Sequence, residues 1–280
     1  MIIMVDILMS AYNAEDTIEK AVNSILDQTY ERFKLYVFED CSTDSTYDIL
    51  KKINDPRLVV IRSSKNIGTY ASKNYMLKNL CRSPYIALHD ADDTSEPRRL
   101  QLQVSRMSYH PNLACLGTSV NEILIDSGPH TISDDVFSDS ERKNTYPSVL
   151  CKEDIRHLVD LEDDKVYDDY LKFKFCKNGS VLIRSEILHQ LGGWDGRTRI
   201  AADTDLFIRI LGLSEIHNLK VALYNRFFHK GSLTASKQYG IGSDIRKEYN
   251  LGRREVIERT LESDPIVRDM WHPEIEVCVG

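Results

Sequence analysis

An α/β fold on a parallel, doubly wound sheet is what this sequence predicts, and three observations predict it. Strand-like and helix-like runs alternate over the first 120 residues, the pattern of parallel strands joined by crossover helices. Apolar runs stop abruptly at polar residues, as buried strands do where they leave a sheet. Tyr85 to Leu88 is followed at once by His89, Asp90, Asp92 and Asp93. The length of 280 residues, 42% of them hydrophobic, suits one large domain or one domain plus an appendage.

The elements follow in order. VDILMS (5–10) is the first strand. Over 15–28, Ile18, Ala21, Val22, Ile25 and Leu26 recur at helical spacing. KLYVFED (34–40) is the second strand, and STDS opens a helix over 43–53 with good capping residues. RLVVIRS (57–63), a helix over 69–81, YIALHD (85–90), a helix over 97–110 with Pro97 in its first turn, and LACLGTSV (113–120) continue the alternation. Residues 126–178 break it. Gly128, Pro129, Pro147 and dense charge, with eight acids against two bases from Glu153 to Asp169, read as a loop-rich insert holding a short helix near 152–160. GSVLIRS (179–185) is again strand-like, and EILHQLGGWD is a short helix closed by Gly192 and Gly193. Asp203 to Leu213 is helical by period, KVALYNRFFH (220–229) is a strand, and 236–262 is a charged helical tail.

Bulk properties narrow the function classes. The net charge of −7 gives no general pull toward nucleic acid or anionic lipid. Six scattered cysteines without a CxxC pair argue against a disulfide scaffold or a zinc site and fit a reducing cytoplasm. No stretch nears the ~20 apolar residues that span a bilayer. The start, MIIMVDILMSAYN, lacks a basic leader and a small-residue cleavage site, so no signal peptide is expected.

The chemistry gathers at strand ends, where open α/β sheets bind ligands. Carboxylates crowded as Asp90, Asp92 and Asp93 are reconciled by a hard divalent cation, Mn²⁺ or Mg²⁺, which takes one or two protein carboxylates and fills its remaining positions with phosphate oxygens and water. The competing reading is a solvated acidic loop that caps the helix at 97. Asp40 ends the second strand where a carboxylate reaches a ribose or base, while Ser42, Thr43 and Asp44 also suit a helix cap. Ala11, Tyr12 and Asn13, after the first strand, offer a small residue, an aromatic and an amide for a base-stacking pocket, or an ordinary turn.

These motifs carry a resemblance. VDILMSAYNAEDTIEKAVNSILDQTYERFKLYVFEDCSTDST resembles the opening of the family 2 glycosyltransferases of the GT-A fold. NIGTYASKN (66–74) resembles the family's Asn-x-Gly segment, with Lys73 in place of the usual Arg, and HDADD resembles its Asp-x-Asp metal motif. The likeness runs over residues 4–110 and resumes over 177–234. It implies a Rossmann-like GT-A domain: residues 1–120 the nucleotide-sugar half, 121–235 the acceptor and catalytic half, and 236–280 a helical tail. It implies a UDP- or GDP-type sugar donor bound by Ala11, Tyr12, Asn13, Asp40, Asn66, Gly68, Lys73 and Asp90. The metal falls to Asp92 and Asp93, with His229 completing the shell, and Lys230, Ser232 and Ser236 close a loop over the diphosphate.

In GGWDGRTRIAADTDLFIRI the resemblance places the base of an inverting transfer at Asp203, with Asp205 the alternative, because Ala202 stands where the family often has Glu. A carboxylate favoured by the helix dipole is the plainer reading of Asp203. Trp194 and Asp195 become acceptor-side residues, Trp194 either stacking on a sugar or packing in the core. The acceptor is a glycan or another hydroxyl, and nucleic acid is disfavoured by charge. Six Lys or Arg against four acids over 237–259 hint faintly at a peripheral membrane contact, and the tail WHPEIEVCVG is expected to dock on this chain or on a second copy. Two other classes compete. A nucleotidyltransferase would show a Gly-rich phosphate loop near the first strand, which SAYNAEDTIEK lacks; a non-catalytic nucleotide-sugar binder has Ala202 in its favour.

Overall fold

The computed structural model describes residues 3–124, 141–144, 146–159, 175–228, 237–240 and 243–279. β1 (Val5–Ala11) lies between β2 (Phe33–Glu39) and β4 (Tyr85–Asp90), parallel to both, and β3 (Leu58–Ser63) extends the parallel set beyond β2. These are the first four of the five strands that the alternating pattern predicts, within a residue or two at each end. The strands read as nearly unbroken apolar runs because both faces are covered. Along β1, Val5, Ile7, Met9 and Ala11 face one core and Leu8 the other.

The first core is filled by α1 (Ile18–Leu26) and α4 (Arg99–Tyr109); Ile18, Val22 and Ile25 are fully buried there, each worth about 1.5–3 kcal/mol of burial. The second core lies under α3 (Thr69–Asn79), α5 (Ser185–Leu191), α6 (Ala202–Leu211) and α8 (Arg254–Leu261).

Beyond β4 the sheet adds antiparallel strands. β9 (Leu182–Arg184) wedges between β4 and β6 (Cys115–Leu124), antiparallel to both. β10 (Ile216–Phe228) runs parallel to β6, with irregular register between Leu219 and Tyr224. β5 (Thr94–Ser95) and β8 (Val149–Leu150) pair with β10, and β7 (Glu141–Asn144) with β6. β11 (Val277–Val279) closes the far edge, antiparallel to β3. The C-terminal tail therefore docks on its own chain.

Three expectations change. The helix over 43–53 shrinks to α2 (Thr46–Leu50), because the residues before it bond across to the loop after β1. The helix near 152–160 is a 3₁₀ turn, Lys152–Leu158, anchored by buried Ile155 and Leu158. The tail is two helices, α7 (Asp244–Leu251) and α8, interrupted at Gly252. Most of the acidic insert, and His229, Lys230, Ser232 and Ser236, lie outside the described residues. Among the described residues no helix is long and apolar enough to cross a membrane.

Candidate active site

Parallel register brings the motifs to one rim: Ser10 is level with Asp90, and Ala11 with Glu39. The loops that follow β1 and β2 are stitched together there. Ser42 Oγ accepts the Asn13 N–H at 3.0 Å, Thr46 Oγ1 the Ala14 N–H at 2.8 Å, and Asp44 the Glu15 N–H at 3.1 Å. In return Asn13 Oδ1 accepts the Thr43 N–H at 2.9 Å and Glu15 the Ser45 N–H at 3.0 Å. Asn13 sits at φ 48°, a left-handed position that Asn tolerates better than most residues. The stitch leaves the Tyr12 ring half exposed (49%) on the rim.

Asp40, expected to meet the nucleoside, braces the loop that leads into α3. It is buried, and its two oxygens accept the Ile67 and Gly68 N–H groups at 2.8 and 2.7 Å. Burial pushes its carboxyl up to about 6, against the lowering effect of those two bonds. Asn66 donates to the Asp40 carbonyl at 3.2 Å and takes a hydrogen bond from Arg199. Gly68 holds φ 90° at the mouth of α3, where a Cβ would meet the Arg199 guanidinium at 2.7 Å.

The three clustered acids, indistinguishable in sequence, part company in space. Asp90 faces two ammoniums, Lys73 at 3.9 Å and Lys177 at 3.7 Å. Burial would raise its carboxyl, but Lys177 and Lys73 outweigh burial and hold it below the usual range. Asp93 is buried and accepts the Phe227 N–H at 2.9 Å. Burial first, and the Asp92 charge second, push it up to about 7. Asp92 is partly exposed between them. Below the cluster, His89 is fully buried and held well below its usual range by burial, so it stays neutral. Tyr224 Oη accepts the Asp90 N–H at 3.2 Å, and Gly179 makes room for both: a Cβ there would meet that oxygen at 2.0 Å.

Asp203 stands in the first turn of α6, partly exposed, and Tyr70 Oη donates to its Oδ1 at 3.2 Å. Lys73, one turn along α3 from Tyr70, is itself buried and lies within electrostatic reach of Asp90, Asp203 and Asp92. The acid cluster and Asp203 thus share one rim. Asp205, the alternative base, is ruled out by its partners: Arg209 Nε donates to one oxygen at 2.8 Å and Arg268 Nη2 to the other at 2.7 Å. Burial would raise it, but Arg209 and Arg268 keep it low. Trp194 is also corrected. It is fully buried in the core, where no sugar reaches its ring, and its backbone N–H and C=O are both bonded to Asn74. Asp195 beside it is partly exposed and accepts the Arg197 N–H at 3.2 Å in a turn.

Sequence reading missed Lys177, Tyr70 and Tyr224. Tyr70 carried a signal, since it precedes Lys73 by three and so shares its helix face. Lys177 and Tyr224 carried none, for their partners come from distant strands.

The sequence model of "Glycosyl transferase family 2" matches residues 6–154. The UDP-Glc:alpha-D-GlcNAc-diphosphoundecaprenol beta-1,3-glucosyltransferase WfaP of Escherichia coli is 36% identical over 104 residues, 37% of this chain and 41% of that one. The hyaluronan synthase of Pasteurella multocida is 25% identical over 240 residues, 85% of this chain and 22% of that one. The chain therefore spans well under half the length of these relatives. Among solved structures, S. aureus TarS 1–349 in complex with UDP-GlcNAc aligns with a TM-score of 0.61 at 17% identity, over 92% of this chain and 73% of that one, which supports the GT-A fold. With the family match covering more than half the chain, from the first strand past the acid cluster, this protein belongs to glycosyl transferase family 2.

Proposed function

We propose that the protein moves a sugar from a nucleotide-diphosphate donor to an acceptor hydroxyl, with inversion and with help from a divalent cation. One observation carries the reading: buried Lys73 stands 3.9 Å from Asp90 and within electrostatic reach of both Asp92 and Asp203, so the acid cluster and the expected base face the same buried charge. A UDP-type donor is favoured over GDP because the relative WfaP is a UDP-Glc transferase and the TarS structure of like fold holds UDP-GlcNAc. Tyr12 offers a ring for the base, beside Ala11 and Asn13. The acceptor is a glycan or another hydroxyl near Asp195, on the Asp203 side.

Among the described residues no group of three or more His, Cys, Asp or Glu side chains is arranged to hold a metal ion, so a hard cation would rest on two carboxylates and on phosphate oxygens of the donor, a set that suits Mg²⁺. Asp92 and Asp93 are adjacent oxygen donors, and the Asp92 charge adds to what pushes Asp93 up to about 7, a cost that bound positive charge relieves. Mn²⁺ or Mg²⁺ bound by Asp92 and Asp93, with His229 the expected third ligand, would offset negative charge on the leaving diphosphate. The protein's own groups do the rest. Asp203 takes the proton from the attacking hydroxyl, whose oxygen bonds to the anomeric carbon as the bond to the diphosphate breaks. The Tyr70 hydroxyl holds the Asp203 carboxylate in place. Lys73 and Lys177 set two positive charges behind Asp90, where they favour the departing anion. Cytoplasmic placement, with peripheral membrane contact, is part of the same proposal.

The test is release of UDP from UDP-glucose and UDP-N-acetylglucosamine with and without Mn²⁺, alongside calorimetric binding of the same donors. Asp92→Ala is expected to remove both turnover and Mn²⁺-dependent binding. Asp203→Asn is expected to keep binding and lower turnover by roughly 10²–10⁴-fold. Binding without turnover in the wild type would instead mark a nucleotide-sugar binder. Absence of binding to any UDP- or GDP-sugar with Mn²⁺ or Mg²⁺ overturns the reading, and undiminished turnover by Asp203→Asn overturns the base.

A further inference from the structure

The first turn of α6 is held from outside by the C-terminal segment, at the residues two before and two after Asp203. Ala201, immediately before the helix, sits at φ 55°, a left-handed conformation that a non-glycine residue adopts only when its surroundings impose it. Its carbonyl accepts a hydrogen bond at 2.5 Å from Arg253, a buried side chain just ahead of α8. Asp205, 1% exposed, takes Arg268 Nη2 at 2.7 Å on one oxygen and Arg209 Nε at 2.8 Å on the other. Arg209, fully buried, passes the constraint on to the glycine turn: its other nitrogens donate to the Leu191 carbonyl at 2.9 Å and the Gly193 carbonyl at 2.7 Å.

The strap bearing Arg268 is itself fastened. The Arg268 and Met270 N–H groups donate to the Leu191 and Gly192 carbonyls at 2.8 and 3.0 Å. Gly192 has no space for a side chain, since a Cβ would lie 1.6 Å from the Arg268 carbonyl oxygen, and at Gly196 a Cβ would lie 2.1 Å from that of Trp271. Asn74 of α3 donates to the Trp271 carbonyl at 3.0 Å, and β11 pairs with β3. Residues 264–279 therefore run from the turn beside α6 to the far sheet edge, tied to the core at both ends.

The geometry points to Arg268 and Arg253 as positioning residues for Asp203: acting through Asp205 and the Ala201 carbonyl, they fix the turn that aims its carboxylate. This rests on Asp203 being the base. The arrangement makes a C-terminal segment outside residues 6–154, the stretch that matches the family model, a working part of the active site. Neither arginine is asked to touch substrate. A carboxylate displaced by about 1 Å loses on the order of 100-fold in rate while the donor still binds, so the effect belongs in kcat.

The experiment compares wild type, Arg268→Met, Arg268→Lys, Asp203→Asn and the double variant Asp203→Asn/Arg268→Met. It reads UDP release from UDP-glucose and UDP-N-acetylglucosamine, UDP affinity, and amide hydrogen exchange over residues 201–206. Arg268→Met is expected to speed exchange at 201–206 at least tenfold, lower kcat roughly 10- to 100-fold, and leave donor KM and UDP affinity within twofold. Arg268→Lys, which keeps the charge and loses the planar fork, recovers only part of the rate. Guanidinium ion at millimolar levels restores part of the rate to Arg268→Met, because the Arg268 side chain is 25% exposed. The double variant is no slower than Asp203→Asn alone. Unchanged exchange at 201–206 in Arg268→Met overturns the proposal whatever the turnover. A parallel loss of UDP affinity overturns it too, by showing that the strap only holds the domain together. If Asp203→Asn turns over normally while Arg268→Met loosens 201–206, it is the base assignment that fails.

Discussion

Replacing Asn74 with alanine tests how the glycine turn, α3 and the C-terminal strap are joined. The Asn74 side chain is fully buried and makes three hydrogen bonds at once. Its amide donates to the Trp194 carbonyl at 2.9 Å and the Trp271 carbonyl at 3.0 Å, and its oxygen accepts the Trp194 N–H at 3.0 Å. At about 1 kcal/mol net per bond the loss is about 3 kcal/mol, and stranding buried backbone groups without partners raises it to about 3–5 kcal/mol. For a chain of this size that lowers Tm by on the order of 10 °C. The control is Asn79→Ala. Asn79 makes a comparable bond, to the Tyr75 carbonyl at 2.9 Å, but at an exposed position, so its loss should stay within about 0.5 kcal/mol. Urea denaturation followed by circular dichroism measures both variants. A loss below about 1 kcal/mol for Asn74→Ala, or parity with Asn79→Ala, would refute the reasoning, because water or a shifted turn would then be satisfying the same groups.

Gly192→Ala, with φ 72° and a Cβ 1.6 Å from a backbone oxygen, is expected to abolish soluble expression or cost more than ~4 kcal/mol. Gly252→Ala, whose Cβ would meet nothing closer than 3.7 Å, should be neutral or stabilising by up to about 1 kcal/mol in the same melts. Trp194→Phe should lower stability yet leave donor KM and the rate of UDP release within about threefold; a selective loss of transfer to acceptor would restore the sugar-stacking role that burial denies it. The Asp40 carboxyl titrates at about 6 in the folded protein, above its value of 3.8 in the open chain. The stability it contributes is complete below about pH 4 and is lost as pH rises through 6. Wild type should therefore lose stability relative to Asp40→Asn between pH 4 and 7 by on the order of 2–3 kcal/mol, and a gap that moves the other way in pH-dependent urea melts contradicts the assignment.

What the sequence determined by itself was whatever local chemistry decides. Apolar runs such as Tyr85 to Leu88 can only be buried strands when they stop at acids, and Ile18, Val22 and Ile25 sit on one face of any helix they form. Strand–helix alternation then forces parallel strands to share a rim, so Tyr12, Asp40 and Asp92 were legible as neighbours although 80 residues separate the first from the last. The fate of each polar group at that rim was not legible, because it depends on which partner arrives from far along the chain. Asp90, Asp92 and Asp93 look alike until Lys177 comes to face the first and the Phe227 N–H reaches the last. Asp203 and Asp205 have a single residue between them, yet Arg209 and Arg268, the latter 63 positions beyond Asp205, take both oxygens of the second, while the first keeps a partly exposed carboxylate. The three residues of β9 and the three of β11 are too short to announce a pairing by periodicity. Their places are set by the open sheet edges they satisfy, a property of the assembled fold rather than of any stretch of sequence.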